Sequence, residues 1–327
     1  MLSLKKFAPV RHLLTLTLLG LALPCAQAWT DKPIKLIVPA PPGGTMDVIA
    51  RMVSEQLAAE TGQVVIVDNR PGAGGGIGVQ ALRTAPGDGQ TIMVTASNVL
   101  TEIPHVLKSG FDPLKDVKPV GVIARGTMVL VGAPNVPAKN FKDFLAYARS
   151  HKGQLSFASY SAGTASHYAG MILNQKAGLD LQHVPYAGSP PALTQVMGGQ
   201  IPLMFDGYVT SRAMIAAGKL QVYGVAGPRR LSQLPEVPTL AELGYPELNF
   251  SNWLGVVVSS AVPGETVEKI HRTVAKVAAN PKFRGRMFAT GFEAAEDLGV
   301  EPLAQSVKAE FERNGAIVKQ FNIQLNP

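Results

Sequence analysis

The chain has 327 residues with 30 basic and 23 acidic side chains, one cysteine and 6% aromatic residues. This length predicts two domains rather than a single hydrophobic core. The basic residues are scattered and aromatic residues are sparse, so the composition argues against a nucleic-acid-binding protein.

The first 28 residues have the pattern of a secretory signal peptide. Three basic residues precede the apolar stretch 13–23, and Ala26-Gln27-Ala28 has the small-x-small form of a signal peptidase site. We therefore expect cleavage after Ala28 and a periplasmic mature protein. The apolar stretch is shorter than the ~20 residues that span a bilayer, which argues against a membrane anchor.

Cleavage changes the composition of the mature chain. It removes the one cysteine and leaves 27 basic residues, 30 less the three of the leader, against 23 acidic residues, a net charge of +4. An exported chain without cysteine has no disulfide, so its stability must come from an ordinary hydrophobic core. A lipid anchor on Cys25 is an alternative, but Pro24 stands where a lipid-attachment motif has a small residue.

Ten short apolar runs predict β-strands, and their continuous rather than alternating pattern is typical of strands that are covered on both faces. The runs are 34–38, 64–67, 91–97, 120–124, 128–133, 155–159, 183–187, 201–205, 220–226 and 253–260. Helix-period segments such as 46–60 and 140–151 lie between many of them. Strands that alternate with helices predict an α/β fold with mostly parallel sheets. After Pro263 the sequence predicts helices only, over 265–279, 281–290 and 301–321.

Two extended segments flanked by proline-rich turns, 117–137 and 247–260, are predicted to cross between two lobes. Residues 29–124 and 252–327 then form a discontinuous first lobe, and residues 125–251 form an inserted second lobe. A cleft is expected between the lobes, and the protein is expected to act as a monomer.

The first strand ends in an unusual loop, because Pro41-Pro42 and Gly43-Gly44 follow it directly and a helix then begins near Thr45. Free backbone N–H groups at the positive end of a helix suit a carboxylate or a phosphate. A tight turn without a ligand fits the same pattern equally well. Asp47 offsets the helix dipole, so it either caps the helix or receives a donor group of a ligand.

A second glycine cluster, PGAGGGIG at 71–78, satisfies a loose dinucleotide-binding pattern. The acidic residue that binds the ribose is missing about 20 residues further on, at the end of a second strand. We therefore interpret the cluster as close packing of a loop against a helix.

The run 156–170 is another strand that leaves through small polar residues into a helix. Ser161, Asp206 and His271 follow the chain order of an α/β-hydrolase triad. However, Ser159 stands where the nucleophile elbow needs glycine, and His271 has apolar neighbours at helical spacing. An esterase is therefore disfavoured.

The five histidines of the mature chain lack the spacing of a transition-metal site, so no metal or cofactor is expected. Asp206 ends an apolar strand, and ligands of open α/β sheets bind at that edge. A helix-capping aspartate is an equal alternative.

Six segments taken together resemble the tripartite tricarboxylate transporter solute receptors, also called Bug proteins. They are KPIKLIVPAPPGGTMDVIARMV, DNRPGAGGGIG, FASYSAGTASHYAG, HVPYAGSPPALTQVMGGQIPLMFD, LPEVPTLAELGYP and NWLGVVV. The resemblance covers the whole mature chain. It implies a non-enzymatic periplasmic receptor of two α/β lobes, which closes on a small carboxylate and delivers it to a pair of membrane permease subunits.

The resemblance also implies ligand-binding positions. These are Pro42, Gly43, Gly44, Thr45 and Asp47 in the first loop, Ser159, Ala162, Gly163 and Thr164 in the facing loop, and Ser97, Asn98 and Asp206 at the same edge. The sequence departs from the family pattern at Ser161, Ala187 and Gly207-Tyr208. We add the hypothesis that Tyr208 and Arg212 reach the distal end of the ligand. The ligand itself stays open among organic and amino acids, and a periplasmic sensor that feeds a signalling kinase is an alternative function.

Overall fold

The computed structural model describes residues 29–43, 45–108 and 110–323, apart from the side chains of Thr45 and Ser251. The predicted leader and its cleavage site lie outside these residues. Within the described part of the chain, no helix has the length and apolarity needed to cross a membrane.

The described residues form ten strands. They are β1 Ile34–Val38, β2 Val65–Asn69, β3 Thr91–Ala96, β4 Val117–Gly132, β5 Ser156–Ser159, β6 Gln182–Pro185, β7 Leu203–Gly207, β8 Gln221–Ala226, β9 Ser251–Ser259 and β10 Glu293–Ala294. Every predicted strand is confirmed, although the two runs at 120–124 and 128–133 belong to one strand, β4. The prediction of helices alone after Pro263 is wrong, because the two-residue strand β10 pairs with β4 there.

Ten α-helices lie in the same residues. They are α1 Thr45–Thr61, α2 Gly76–Arg83, α3 Asn98–Thr101, α4 Phe141–Ser150, α5 Ala165–Lys176, α6 Ser189–Met197, α7 Tyr208–Ala216, α8 Gly264–Ala279, α9 Pro281–Ala289 and α10 Val300–Gln320.

Helix α4 shows how the local sequence sets such an element. The side-chain oxygen of Asn140 accepts a hydrogen bond from the backbone N–H of Asp143 at 2.9 Å, which caps the helix start. Phe141, Phe144 and the residues that follow at helical spacing are buried, as the sequence predicts. The ring of Phe144 stacks on a sheet residue, Tyr223, with centroids 5.1 Å apart. The apolar stripe therefore packs on the sheet.

The strands pair in two groups that share β4. Region 1 contains β2, β1, β3, β9, β4 and β10, and region 2 contains β8, β4, β7, β5 and β6. The helices α1 to α3 and α8 to α10 pack in the core of region 1, and α4 to α7 pack in the core of region 2. The segment 117–127 of β4 pairs with β9, whereas the segment 128–132 pairs with β7 and β8. The lobe boundaries at residues 124/125 and 251/252 stay a prediction.

The predicted α/β class is confirmed, but the sheet is mixed rather than mostly parallel. The pairs among β1, β2 and β3 and among β5, β6 and β7 are parallel. Each pair that contains β4 or β9 is antiparallel. Helical crossovers produce the parallel pairs. Strands β4 and β9 lie between the two sets of parallel strands and run antiparallel to their neighbours.

The prediction that the strands are covered on both faces is wrong for the two outermost strands, β2 and β6. Val64, directly before β2, and Ile66, within it, are 65% and 53% exposed. The first and last residues of β6, Gln182 and Pro185, are also exposed. An outermost strand has one neighbour only, so part of an apolar run there stays in water.

The second glycine cluster packs closely, as we interpret it from the sequence. A Cβ atom on Gly78 would lie 2.9 Å from the Cβ of Pro39, which leaves no room for a side chain between α2 and the end of β1. Gly75, directly before α2, has a left-handed φ of 97°. These glycines therefore bring α2 against the loop that follows β1.

Helix α5 approaches its sheet still more closely, through Gly170. A Cβ atom there would lie 2.0 Å from the ring carbon Cε2 of Phe157 on β5.

We expect Gly170→Ala to lower the free energy of unfolding by about 1–3 kcal/mol, because an added methyl group forces the buried ring to move. Urea unfolding measures the change. The matched control is Gly285→Ala in α9, where nothing lies within 4 Å and alanine favours the helix. Equal effects of the two substitutions would contradict the packing argument.

Candidate functional site

The strand register brings the carboxyl end of β3 in region 1 close to the carboxyl end of β7 in region 2. Ala96, at the end of β3, pairs with Leu254 of β9, and Leu254 in turn pairs with Ala124 of β4. Gly207, at the end of β7, pairs with Met128 of β4. Four residues of β4 span ~13 Å, so β3 and β7 point toward each other near the middle of β4. This is the edge at which ligands of α/β sheets bind, and it is the candidate site.

Asp47 holds the first loop from inside. Its Oδ2 atom accepts hydrogen bonds from the backbone N–H of Gly43 at 2.9 Å and from Nε of Arg51 at 3.0 Å. Its Oδ1 atom accepts a bond from Nδ2 of Asn69 at 3.0 Å. The bond from Arg51, followed by that from Gly43, lowers the pKa of this buried carboxyl group to about 2. Asp47 therefore ties the loop to α1 and β2, a role that the sequence did not suggest, and its contact with a ligand stays a prediction.

Gly43 and Pro42 shape the rest of the first loop. Gly43 has a left-handed φ of 79°, which only glycine adopts without strain. Pro42 is exposed beside it. Gly44 and the side chain of Thr45 fall outside the described part, and α1 begins at Thr45.

The facing loop is also fixed by its own contacts. Gly163, with a φ of 74°, donates its N–H to Nδ1 of His167 at 3.2 Å. The hydroxyl of Thr164 donates to the carbonyl oxygen of Ser161 at 2.7 Å. Ala162 lies between them and is half-buried. These contacts hold the loop to the start of α5.

Two stacked histidines lie beneath this loop. The rings of His167 and His183 are parallel within 9°, with centroids 3.7 Å apart. The predicted ligand residue Ser159 is buried, and its hydroxyl is hydrogen bonded to Nε2 of His183 at 2.7 Å. Burial lowers the pKa of His167 to about 4. Burial and the neighbouring His167 lower the pKa of His183 to about 3. Both rings are therefore neutral at pH 7.

A buried acid that the sequence analysis did not single out joins the two regions. Glu102 follows α3, and its Oε2 atom accepts the backbone N–H of Ala165, the first residue of α5, at 2.7 Å. Burial raises the pKa of this carboxyl group to about 7, although the bond from Ala165 opposes the shift. No local pattern marks Glu102, because its partner lies 63 residues further along the chain.

Asp206 lies at the carboxyl end of β7, as predicted, and is fully buried. One carboxylate oxygen accepts the hydroxyl of Ser189 and the other that of Thr210, both at 2.6 Å. Burial raises its pKa to about 6, against the effect of these two bonds. Because Ser189 begins α6 and Thr210 lies in the first turn of α7, Asp206 ties two helix starts together.

Ser97 and Asn98 lie where β3 ends and α3 begins. The backbone N–H of Ser97 donates to the carbonyl oxygen of Trp253 on β9 at 2.9 Å. The N–H of Trp253 donates back to the Ser97 hydroxyl oxygen at 3.4 Å. Asn98 is half-buried as the first residue of α3. The structure thus brings both to the candidate site.

Tyr208 and Arg212 of α7 contact region 1. A guanidinium nitrogen of Arg212 donates to the carbonyl oxygen of Ala289 at the end of α9. Tyr208 is buried, and its ring lies beside Gly291. Both side chains join the two regions, and their proposed contact with a ligand stays a prediction.

The hydrolase triad does not assemble. The Ser161 hydroxyl donates to the carbonyl oxygen of Ala162. His271 lies on α8 in region 1 and hydrogen bonds the carbonyl oxygen of Val120 at 2.8 Å. Asp206 is engaged by α6 and α7. The described residues also contain no group of three His, Cys, Asp or Glu side chains placed to hold a metal ion.

We expect Asp47→Asn to lower the free energy of unfolding at pH 7 by about 1–2 kcal/mol, because it removes charge-assisted bonds to the loop. The carboxyl pKa is lowered in the folded state, so this stabilisation is present above the ordinary value of 3.8 and disappears as pH falls toward about 2. Urea unfolding of both proteins at several pH values measures the difference. Asp68→Asn, which affects the exposed partner Arg70, is the control and should cost less.

We expect His167→Asn to make the protein less sensitive to acid. The folded-state pKa of His167 is lowered, so the unfolded chain takes up the proton first and stability is lost as pH falls from about 6.5 toward 4. Asparagine keeps an acceptor for the N–H of Gly163 and does not titrate. The loss of unfolding free energy from pH 7 to pH 5 should shrink by about 1–2 kcal/mol. An equal change in His151→Asn, outside the stacked pair, would contradict this expectation.

Known proteins resemble this chain in sequence and in fold. The family model described as "Tripartite tricarboxylate transporter family receptor" matches residues 49–323. A UPF0065 protein from the tcbD-tcbE intergenic region of Pseudomonas sp. strain P51 is 34% identical over 308 residues, which cover 92% of this chain and 89% of that protein.

Two solved structures share the fold. A Rhodopseudomonas palustris protein with adipate has a TM-score of 0.80 at 29% identity and covers 91% of this chain and 100% of its own. MatC from the same species, with bound malate, has a TM-score of 0.74 at 28% identity and covers 88% of this chain and 99% of its own. The resemblance found in the sequence is thereby confirmed: the chain belongs to the tripartite tricarboxylate transporter receptor family, a family of periplasmic solute-binding receptors and not of enzymes.

Proposed function

We propose that this protein captures a small organic acid anion between the loops 42–47 and 159–164 and delivers it to the membrane permease subunits of a tripartite tricarboxylate-type transporter. The mature protein, cleaved after Ala28, would act as a monomer in the periplasm.

The observation that carries the proposal is the convergence of β3 and β7 on the middle of β4. Strand β1 lies parallel beside β3, and β5 lies parallel beside β7, so the loops that follow β1 and β5 would border the same space. Each loop leads into a helix N-terminus, α1 or α5. A helix start carries partial positive charge and free N–H donors, which suit a carboxylate.

Rigid loops favour binding because their ordering cost is met before the ligand arrives. Asp47 fixes the first loop through Gly43, and His167 and Thr164 fix the facing loop. These contacts occupy the backbone N–H groups of Gly43 and Gly163, so a ligand carboxylate would bind the other donors of the two loops. Hydrogen bonds to a charged carboxylate are stronger than those between neutral groups.

A ligand that contacts both regions stabilises a closed arrangement more than an open one, which is the condition for a receptor that signals its occupancy. The adipate and malate of the related structures support a ligand of the same chemical class, an aliphatic carboxylate. Family membership supports delivery to a permease.

A thermal-shift screen of adipate, malate, succinate, citrate, glutamate and benzoate on the mature protein tests the proposal. A ligand at 100 times its dissociation constant should add about 2.7 kcal/mol of stability. The protein is first unfolded and refolded to free it of any co-purified ligand. If none of these acids shifts the melting temperature of the refolded protein, the proposal is wrong.

We expect Asn98→Ala to weaken binding of the selected acid about tenfold, because one hydrogen bond to a charged group is worth roughly 1.5 kcal/mol. Isothermal titration calorimetry measures the affinity. Asn135→Ala, at an exposed position beyond the end of β4 and remote from the converging strand ends, is the control and should bind as the unchanged protein does. Equal affinity of all three proteins would remove Asn98 from the proposed site.

A further inference from the structure

A carboxyl group of region 1 lies on the first N–H of a helix in region 2. Glu102 is 3% exposed, and its Oε2 atom lies 2.7 Å from the backbone nitrogen of Ala165. The hydroxyl of Tyr168, also on α5, lies 3.5 Å from the carbonyl oxygen of Glu102. The side chain and the backbone of one residue therefore both contact α5.

Charged and titratable groups from each neighbouring element face this carboxyl group. Helix α10 contributes Glu310, which raises the pKa of Glu102, and Arg313, which lowers it. Tyr168 of α5 and Tyr160 of the facing loop are both affected by the charge of Glu102. Glu310 itself accepts a bond from Nε1 of Trp253 at 3.1 Å. Burial is the largest influence on Glu102 and holds its pKa near 7.

The position of Ala165 connects this carboxyl group to the proposed site. Ala165 directly follows the loop residues 162–164, whose backbone we propose to bind a ligand carboxylate. Successive residues are ~3.8 Å apart, so a carboxylate bound there lies within several ångströms of Glu102. Two carboxylates at such a distance in a buried place do not both remain ionised without a large cost.

We propose that Glu102 is a positioning residue of the binding site, which holds the facing loop through Ala165 and takes up a proton when an anionic ligand enters that loop. This inference rests on the proposed function. Protonation leaves a carbonyl oxygen that still accepts the N–H of Ala165, so the loop keeps its position while the repulsion disappears.

The direction of the pH dependence follows from this arrangement. A second negative charge raises the pKa of Glu102 above its value of about 7 in the free protein. Between these two values the ligand-bound protein holds one more proton than the free protein. Affinity therefore falls as pH rises above about 7, and it is insensitive to this group at lower pH, where both states are protonated.

Calorimetric titration of the mature protein with adipate and with malate, in buffers of different ionisation enthalpy at pH 7.5, measures proton uptake. We expect up to one proton per bound ligand in the unchanged protein and none from this group in Glu102→Gln, whose amide keeps the acceptor. Glu312→Gln, at an exposed position of α10, and Glu310→Gln should retain the uptake. Binding without proton uptake, or equal uptake in Glu102→Gln, overturns the inference and leaves the proposed function intact.

The holding role is tested without a ligand. Amide hydrogen exchange at Ala165 should become faster in Glu102→Ala and return to the original rate in Glu102→Gln, with melting temperatures as a check on folding. Unchanged exchange in the alanine variant overturns the holding role. Failure of adipate, malate and the other screened acids to bind contradicts the proposed function instead, and it contradicts ligand-driven proton uptake with it.

Discussion

One strand, β4, joins both halves of this protein through its hydrogen bonds. Its first eleven residues pair with β9 and its last five with β7 and β8, so among the described strands it is the one that belongs to both regions. The register is interrupted near Pro119, near Val122 and between Leu130 and Val131. Such irregularities bend a strand and increase its twist. The direction in which β3 and β7 point, and hence the space between their loops, depends on this strand.

Three carboxyl groups near that space show how one chemical group takes different states in different surroundings. Asp47 accepts bonds from a guanidinium, an amide side chain and a backbone N–H, and its pKa falls. Asp206 has two hydroxyl partners but is fully buried, and Glu102 has one backbone donor, so burial prevails and both pKa values rise. The number and charge of the donors, set against burial, decide which state each acid adopts.

The sequence predicts what depends on local patterns. Continuous apolar runs locate the strands, and Asn140 with the stripe behind it locates α4. It does not reveal what depends on distant partners. His183 stacks on His167 across two elements, and Glu102 reaches a helix of the other region. Strand β10 is too short for any periodicity, and the direction of β4 relative to its neighbours follows from topology alone. The strand, loop and helix pattern marks both candidate loops in the sequence, whereas the side-chain contacts that fix each loop have no local signature.

The contact between Gly170 and Phe157 has a consequence for the site as well as for stability. Helix α5 carries the facing loop at its start, and Gly170 lies midway along it, against the ring on β5. The separation of helix and sheet at this point fixes how deep the loop sits relative to the end of β5. The absence of a Cβ atom at Gly170 therefore sets the depth of the facing loop, which is half of the proposed site.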